Sequence, residues 1–158
     1  MIYYVLGHGG SGKTIYCLNR FRTLENGIFF AALRDEIDDQ KVEGLNIISL
    51  GETLAEKCVI DITDLYRKNL DDRKAFEHIM ENAIEAALKL KGITVFLDEF
   101  QLYCSQGIKD LILSADRDFY IIHQFPDQLN KDHFSAIWEK SSKKFLLDPY
   151  QPSDFYRV

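Results

Sequence analysis

Apolar residues fall in short unbroken runs along this chain, broken up by polar turns and one long helical stripe. Ile2-Tyr3-Tyr4-Val5-Leu6 is β-branched and aromatic throughout. A run of that length and type reads as a strand buried on both faces, as in a parallel sheet. The same reading holds for residues 28–32, 93–97 and 119–122, the last run ending at His123-Gln124 before Pro126. Residues 46–50 and 57–62 read as further short strands, and 144–147 as a last strand stopped by Pro149. Between them the period changes from two to three and four. Residues 14–24 carry Ile15, Leu18 and Phe21 at helical spacing, with Gly27 just beyond. Residues 71–91 are the clearest helix, with Phe76, Ile79, Met80, Ala83, Ile84, Ala87 and Leu88 on one stripe. Asp71 or Asp72 can cap its start, and Gly92 suits its end. Residues 108–115 read as a shorter helix, 127–140 as mixed helix and loop, and 34–43 as a loop or short helix. No internal repeat, low-complexity tract or linker interrupts the series. The pattern predicts one α/β domain over residues 1–158, a three-layer sandwich around a mainly parallel sheet.

The turn after the first strand changes the picture from architecture to chemistry. Gly7-His8-Gly9-Gly10-Ser11-Gly12-Lys13-Thr14 fits the phosphate-binding pattern G-x-x-x-x-G-K-[ST] and lies between a predicted strand and a predicted helix. Glycines let backbone N–H groups turn inward around phosphate oxygens without Cβ clashes. The following helix adds the partial positive charge of its N-terminus. Lys13 is placed to reach the β- and γ-phosphates, and the Thr14 hydroxyl to bind Mg²⁺. Residues 7–14 are therefore the expected binding site of ATP or a similar nucleotide. The chain lacks an Asn/Thr-Lys-x-Asp guanine-reading motif, which favours ATP.

Four further residues fit the same chemistry. The run at 93–97 delivers Asp98 and Glu99 to a strand's C-terminal end, the edge where ligands bind in open α/β sheets. Asp98 is the candidate to hold Mg²⁺, and Glu99 the candidate to orient or deprotonate the attacking water. Gln124, just past the run at 119–122, is the candidate to sense the γ-phosphate, because an amide can bond both phosphate and water. His123 is its rival, but strand alternation points it to the other face. Arg117 is the candidate arginine finger, acting on a neighbouring subunit's γ-phosphate. It sits within Ala115-Asp116-Arg117-Asp118, whose carboxylates could hold it at home.

Composition narrows the function classes. Hydrophobic residues make up 46% and charged residues 28%, ordinary for a globular chain. Lys plus Arg total 19 against 25 Asp plus Glu, a net charge of -6, which argues against coating nucleic acid by bulk attraction. A local basic pore in a ring remains compatible with it. Cys17, Cys58 and Cys104 have neither metal-ligand spacing nor a disulfide pattern, so they read as small buried hydrophobes in a reducing, cytoplasmic compartment. No apolar run approaches the roughly 20 residues of a membrane span. His8, His78 and His133 show no metal spacing, and Tyr150, Phe155 and Tyr156 sit in a polar tail where ordinary packing is the simplest role.

Taken in order, these elements resemble the FtsK/HerA-like P-loop ATPases. The resemblance rests on Val59-Ile60-Asp61-Ile62-Thr63-Asp64-Leu65 before a long helix, then Thr94-Val95-Phe96-Leu97-Asp98-Glu99, Arg117, and the strand ending in Gln124 followed by Pro126 and Leu129. It runs from residue 1 to about 147. The short length looks most like the genome-packaging ATPases of double-stranded DNA viruses, in host cytoplasm or virion. The resemblance implies a RecA-like core and a hexameric ring threading duplex DNA by ATP hydrolysis. It also implies Arg117 acting in trans and Gln124 as sensor. A phage-morphogenesis type of assembly or secretion ATPase, with a capsid or secretion-machine partner and no DNA pumping, is the alternative. A nucleotide kinase is less favoured, because such enzymes need an Arg-rich lid and here the arginines are scattered.

Overall fold

The apolar runs pair edge to edge. In the computed structural model, which describes residues 1–7, 12–33, 42–124, 131–147 and 155–157, they form one sheet. The elements are β1 (Ile2–Gly7), α1 (Lys13–Arg22), β2 (Gly27–Ala31), β3 (Ile47–Ser49), β4 (Lys57–Asp61), α2 (Thr63–Lys68), α3 (Arg73–Leu88) and β5 (Thr94–Leu97). A 3₁₀ turn (Phe100–Leu102), α4 (Gln106–Ser114), β6 (Asp118–His123), α5 (Lys131–Lys140), β7 (Lys143–Leu147) and β8 (Phe155–Arg157) complete the order. The strands lie in the order β3-β4-β2-β5-β6-β1-β7-β8. All pairings are parallel except that of β8 with β7. The fold is α/β, as the strand and helix alternation predicts.

Period-two alternation explains why the central strands are apolar throughout. Tyr4, Ile28, Phe30, Ile60, Val95, Leu97, Phe119 and Ile121 face the side where α3 contributes Phe76, Met80 and Ile84, α4 contributes Ile108 and Ile112, and α5 contributes Ile137. Val5, Phe29, Ala31, Val59, Phe96, Tyr120 and Ile122 face the side covered by Cys17, Leu18 and Phe21 of α1. Both faces are dry, so a polar side chain is tolerated only at a strand end. Cys17, Cys58 and Cys104 are all buried thiols within these layers.

The α1 face contains a ladder of stacked rings. Tyr3, Tyr120, Phe96 and Phe29 stand in register on β1, β6, β5 and β2. Their centroids are 4.5, 4.4 and 5.0 Å apart in turn, with interplanar angles of 11°, 7° and 11°. Phe21 of α1 drops edge-on against Phe29 at 5.7 Å and Phe96 at 5.5 Å. Lys57, at the start of β4, caps α1 by donating to the carbonyls of Arg22 at 3.1 Å and Leu24 at 2.6 Å. Packing and capping together fix where the first helix begins and ends relative to the sheet.

Several elements differ from the sequence reading. The short helix α2 was not anticipated. It starts because Asp61 Oδ1 accepts the backbone N–H of Thr63 at 2.9 Å, turning the chain directly off β4. The long helix is trimmed at both ends. Asp72 is its cap, accepting from Ala75 N at 3.0 Å, and the helix stops at Leu88 with Gly92 four residues further on at φ 69°. The strand at 143–147 is not the last, because 155–157 adds an antiparallel edge. The expected loop at 34–43 lies mostly outside the described residues, as do residues 125–130.

The ladder yields a stability prediction. Phe96 sits at its centre, fully buried. Phe96→Ala should cost about 3–5 kcal/mol. Denaturant unfolding checks it, and a loss below about 1 kcal/mol would show that the stack carries no packing energy.

Candidate nucleotide site

Parallel strands end at one edge, so the polar residues that follow them are collected there. β6 is inserted between β1 and β5: Val5 pairs with Ile122 and Leu6 with His123, while Leu97 pairs with Ile121. Gly7, Asp98 and Gln124 therefore sit at the tips of three neighbouring strands. Asp98 follows Leu97, and alternation turns it toward the α1 face.

α1 begins at Lys13, with Gly12 before it at φ 84° and ψ 16°. A Cβ on Gly12 would meet nothing within 4 Å, so the glycine is required by the left-handed backbone and not by space. His8, Gly9, Gly10 and Ser11 lie outside the described residues. Lys13 is buried, at 6% exposure. Thr14 Oγ1 donates to Asp98 Oδ2 at 3.1 Å, although the two residues are 84 apart in sequence. Asp98 is itself 1% exposed. Its Oδ1 accepts the backbone N–H of Glu99 at 3.0 Å, and its own carbonyl accepts the Tyr103 hydroxyl at 2.7 Å.

Burial drives the Asp98 carboxyl up to about 7 from its ordinary 3.8, and the neighbouring Glu99 adds to the rise. The Thr14 hydrogen bond, the Glu99 N–H and Lys13 pull the other way without offsetting it. Among the described residues no three His, Cys, Asp or Glu side chains gather to hold a metal. Thr14 and Asp98 instead offer a hydroxyl and a carboxylate. Such hard oxygen donors suit Mg²⁺, which takes one or two protein ligands and leaves the rest to phosphate and water.

Glu99 adopts a left-handed backbone, φ 50° and ψ 41°, which is uncommon for a residue with a Cβ. Its Oε2 accepts from Nε2 of Gln101, which is buried at 7% exposure. Arg73 Nη2 in turn donates to the Gln101 carbonyl at 3.2 Å. Gln101 and Tyr103 were absent from the sequence-level candidates, and Arg73 figured there only as a weaker candidate arginine finger. The one signal for Gln101 was a lone amide inside the apolar stretch Phe100-Gln101-Leu102-Tyr103.

His123 and Gln124 separate as alternation predicts. His123 is fully buried beside Tyr4. The two share a hydrogen bond, and their rings meet edge-on at 5.0 Å. Burial lowers its pKa to about 3, so the ring is neutral at physiological pH and supplies no positive charge. Gln124 is half-buried at the shared edge. Arg117 lies elsewhere. It precedes β6, whereas the Thr14–Asp98 pair stands level with its far end, roughly 20 Å away at about 3.3 Å per residue. Its guanidinium donates to the carbonyls of Asp116 at 2.7 Å and Leu90 at 3.5 Å. The neighbouring Asp118 carboxylate is taken by the N-terminal ammonium at 2.7 Å.

One solved structure bears directly on this arrangement. The chain superposes on the flagellar accessory protein FlaH from Methanocaldococcus jannaschii with a TM-score of 0.61 and 13% identity, over 92% of this chain and 70% of that one. The chain shares that protein's α/β fold, with helices packed on a mainly parallel sheet. At this identity the likeness speaks to the fold alone. No protein-family model matches the chain, and no curated protein matches it in sequence. Among the described residues no helix is long and apolar enough to cross a membrane.

The raised Asp98 carboxyl has a measurable consequence. The folded chain holds this proton up to about pH 7, whereas the unfolded chain releases it near 3.8. Stability should therefore fall as pH rises between those values and level off above the higher one. Asp98→Asn removes that slope. Between pH 5 and pH 8, wild type should lose about 2–3 kcal/mol more unfolding free energy than Asp98→Asn. Parallel curves in denaturant titrations at the two pH values would contradict the buried-carboxyl assignment.

Proposed function

We propose that this chain is a Mg²⁺-dependent ATPase whose site is built from residues 7–14, Asp98, Glu99 and Gln124. The observation that carries the reading is the 3.1 Å hydrogen bond between Thr14 Oγ1 and Asp98 Oδ2. Two hard oxygen ligands from distant parts of the sequence meet there, beside a buried lysine and a helix N-terminus.

On this reading the residues divide the work as follows. Backbone N–H groups of the loop and the start of α1 cradle the phosphates. Lys13 draws charge from the β- and γ-phosphates, and Thr14 and Asp98 hold Mg²⁺, directly or through water. Bound Mg²⁺ offsets the charge that develops on the phosphate oxygens. Glu99 orients the attacking water and accepts its proton, and Gln124 bonds the γ-phosphate from the strand between. Arg117 stands at the wrong end of β6 to serve its own site. If it acts on phosphate, it acts on a neighbour's, as in a head-to-tail ring.

What the hydrolysis drives has two readings. The motif order resembles FtsK/HerA-type motors, which supports a hexameric ring translocating or packaging duplex DNA. The net charge of -6 and the structural likeness to a flagellar accessory protein favour an assembly or secretion ATPase. Hydrolysis with and without duplex DNA, alongside mass measurement with a non-hydrolysable ATP analogue, separates them. DNA-stimulated turnover of a ring supports the motor, and DNA-indifferent turnover supports the assembly ATPase.

Two substitutions test the site itself. Lys13→Ala should abolish ATP binding in calorimetry, and retained micromolar affinity would reject the phosphate-loop assignment. Glu99→Gln should leave binding intact and slow hydrolysis by about 10²–10⁴-fold. Unchanged turnover would mean that another group activates the water.

A further inference from the structure

We propose that Gln101 is a positioning residue for Glu99, its side-chain amide holding the carboxylate in place for the attacking water. The inference rests on the hydrolysis reading above. It adds a residue that the phosphate-loop and acidic motifs do not contain.

The contact itself is well defined. Gln101 Nε2 donates to Glu99 Oε2. A carboxylate only accepts, so the amide nitrogen and not its oxygen must face it. A carboxylate has about four lone-pair sites, enough to take this donor and a water proton together.

Gln101 has the marks of a residue kept for that contact. Its other amide atom, Oε1, is buried and has no hydrogen-bond partner among the described residues. Leaving an acceptor buried and unmatched costs about 1–3 kcal/mol. A methionine or leucine would fill the same space between Phe100 and Leu102 without that cost. The chain instead carries an amide that donates to Glu99 while its oxygen is left unmatched among the described residues.

The surroundings brace the pair. Glu99 enters the 3₁₀ turn from a left-handed conformation, so its side-chain direction is set by a strained backbone. Arg73, the first residue of α3, fixes the Gln101 carbonyl at 3.2 Å and is steadied by Glu77 at 2.7 Å. The Tyr103 hydroxyl fixes the Asp98 carbonyl at 2.7 Å. The turn is thus pinned on both sides of the carboxylate. Misplacing a reacting group by about 1 Å can cost about 10² in rate. A fixed amide donor is a direct way to prevent it.

The test uses Gln101→Met, which keeps the volume and removes both amide atoms. kcat should fall about 10- to 100-fold. KM for ATP should stay at the wild-type value, and the melting temperature should stay level or rise. In a Glu99→Gln background the same substitution should have no further effect, because Gln101 acts through Glu99. An unchanged or faster kcat overturns the proposal, as does an equal loss in the Glu99→Gln background. A second readout needs no activity. In the nucleotide-free protein the Gln101 side-chain NH₂ resonances should move when Glu99 is changed to Ala, and unmoved resonances overturn the contact. If Glu99→Gln alone hydrolyses at the wild-type rate while those resonances do move, the hydrolysis reading has failed and the clamp has not.

Discussion

Asp98 is a carboxylate carried to the dry end of a strand, and the rest of the site is arranged around the difficulty of keeping it there. At 1% exposure it has lost its water, which together with the neighbouring Glu99 lifts its pKa to about 7. The Thr14 hydroxyl, the Glu99 N–H and the nearby Lys13 return part of that stabilisation. Each of these donors is fixed by something else. Thr14 and Lys13 are held by α1, which the ring ladder and the Lys57 cap anchor to the sheet. The Glu99 N–H is held by the turn that Tyr103 and Arg73 pin from outside. The sheet's aromatic packing and the geometry of the polar cluster are therefore one problem, because a shift of α1 would carry Thr14 off its partner.

The same constraint explains which features were legible in the sequence. Strands covered on both faces admit no polar residue until they end, so unbroken apolar runs announced both the sheet and the positions where chemistry could begin. Asp98 and Gln124 were visible as polar residues directly after such runs, and alternation separated Gln124 from His123. Of the glycine-rich turn at 7–14, the described residues carry the left-handed Gly12, the buried Lys13 and Thr14 at the start of α1, while residues 8–11 lie outside them. The features that were missed arise where local pattern carries no information. α2 is six residues long and depends on one Asp61 hydrogen bond. β8 is a three-residue edge strand paired with β7. The contacts of Gln101 with Glu99 and of Tyr103 with the Asp98 carbonyl flank a left-handed Glu99, and nothing in the residue spacing signals that turn.

The topology also sets what one copy of this chain can do by itself. β6 runs from Arg117 at one end to Gln124 at the other. Its parallel neighbours on both sides, β1 and β5, bring the phosphate loop and the acidic pair to the Gln124 end alone. An arginine before β6 cannot fold back across a packed, two-sided strand to reach that edge. Arg117 is instead occupied at its own end by the carbonyls of Asp116 and Leu90, one of them at a long 3.5 Å. A cationic role at phosphate would demand a second subunit, with the Arg117 end of one chain against the Gln124 end of the next. That contact joins two different surfaces, so it is heterologous and closes only as a ring. On the hydrolytic reading proposed above, an arginine from the next subunit is what such a ring would supply. On the same reading, a chain working alone would have to offset the γ-phosphate charge with Lys13, Gln124 and whatever cation Thr14 and Asp98 would hold.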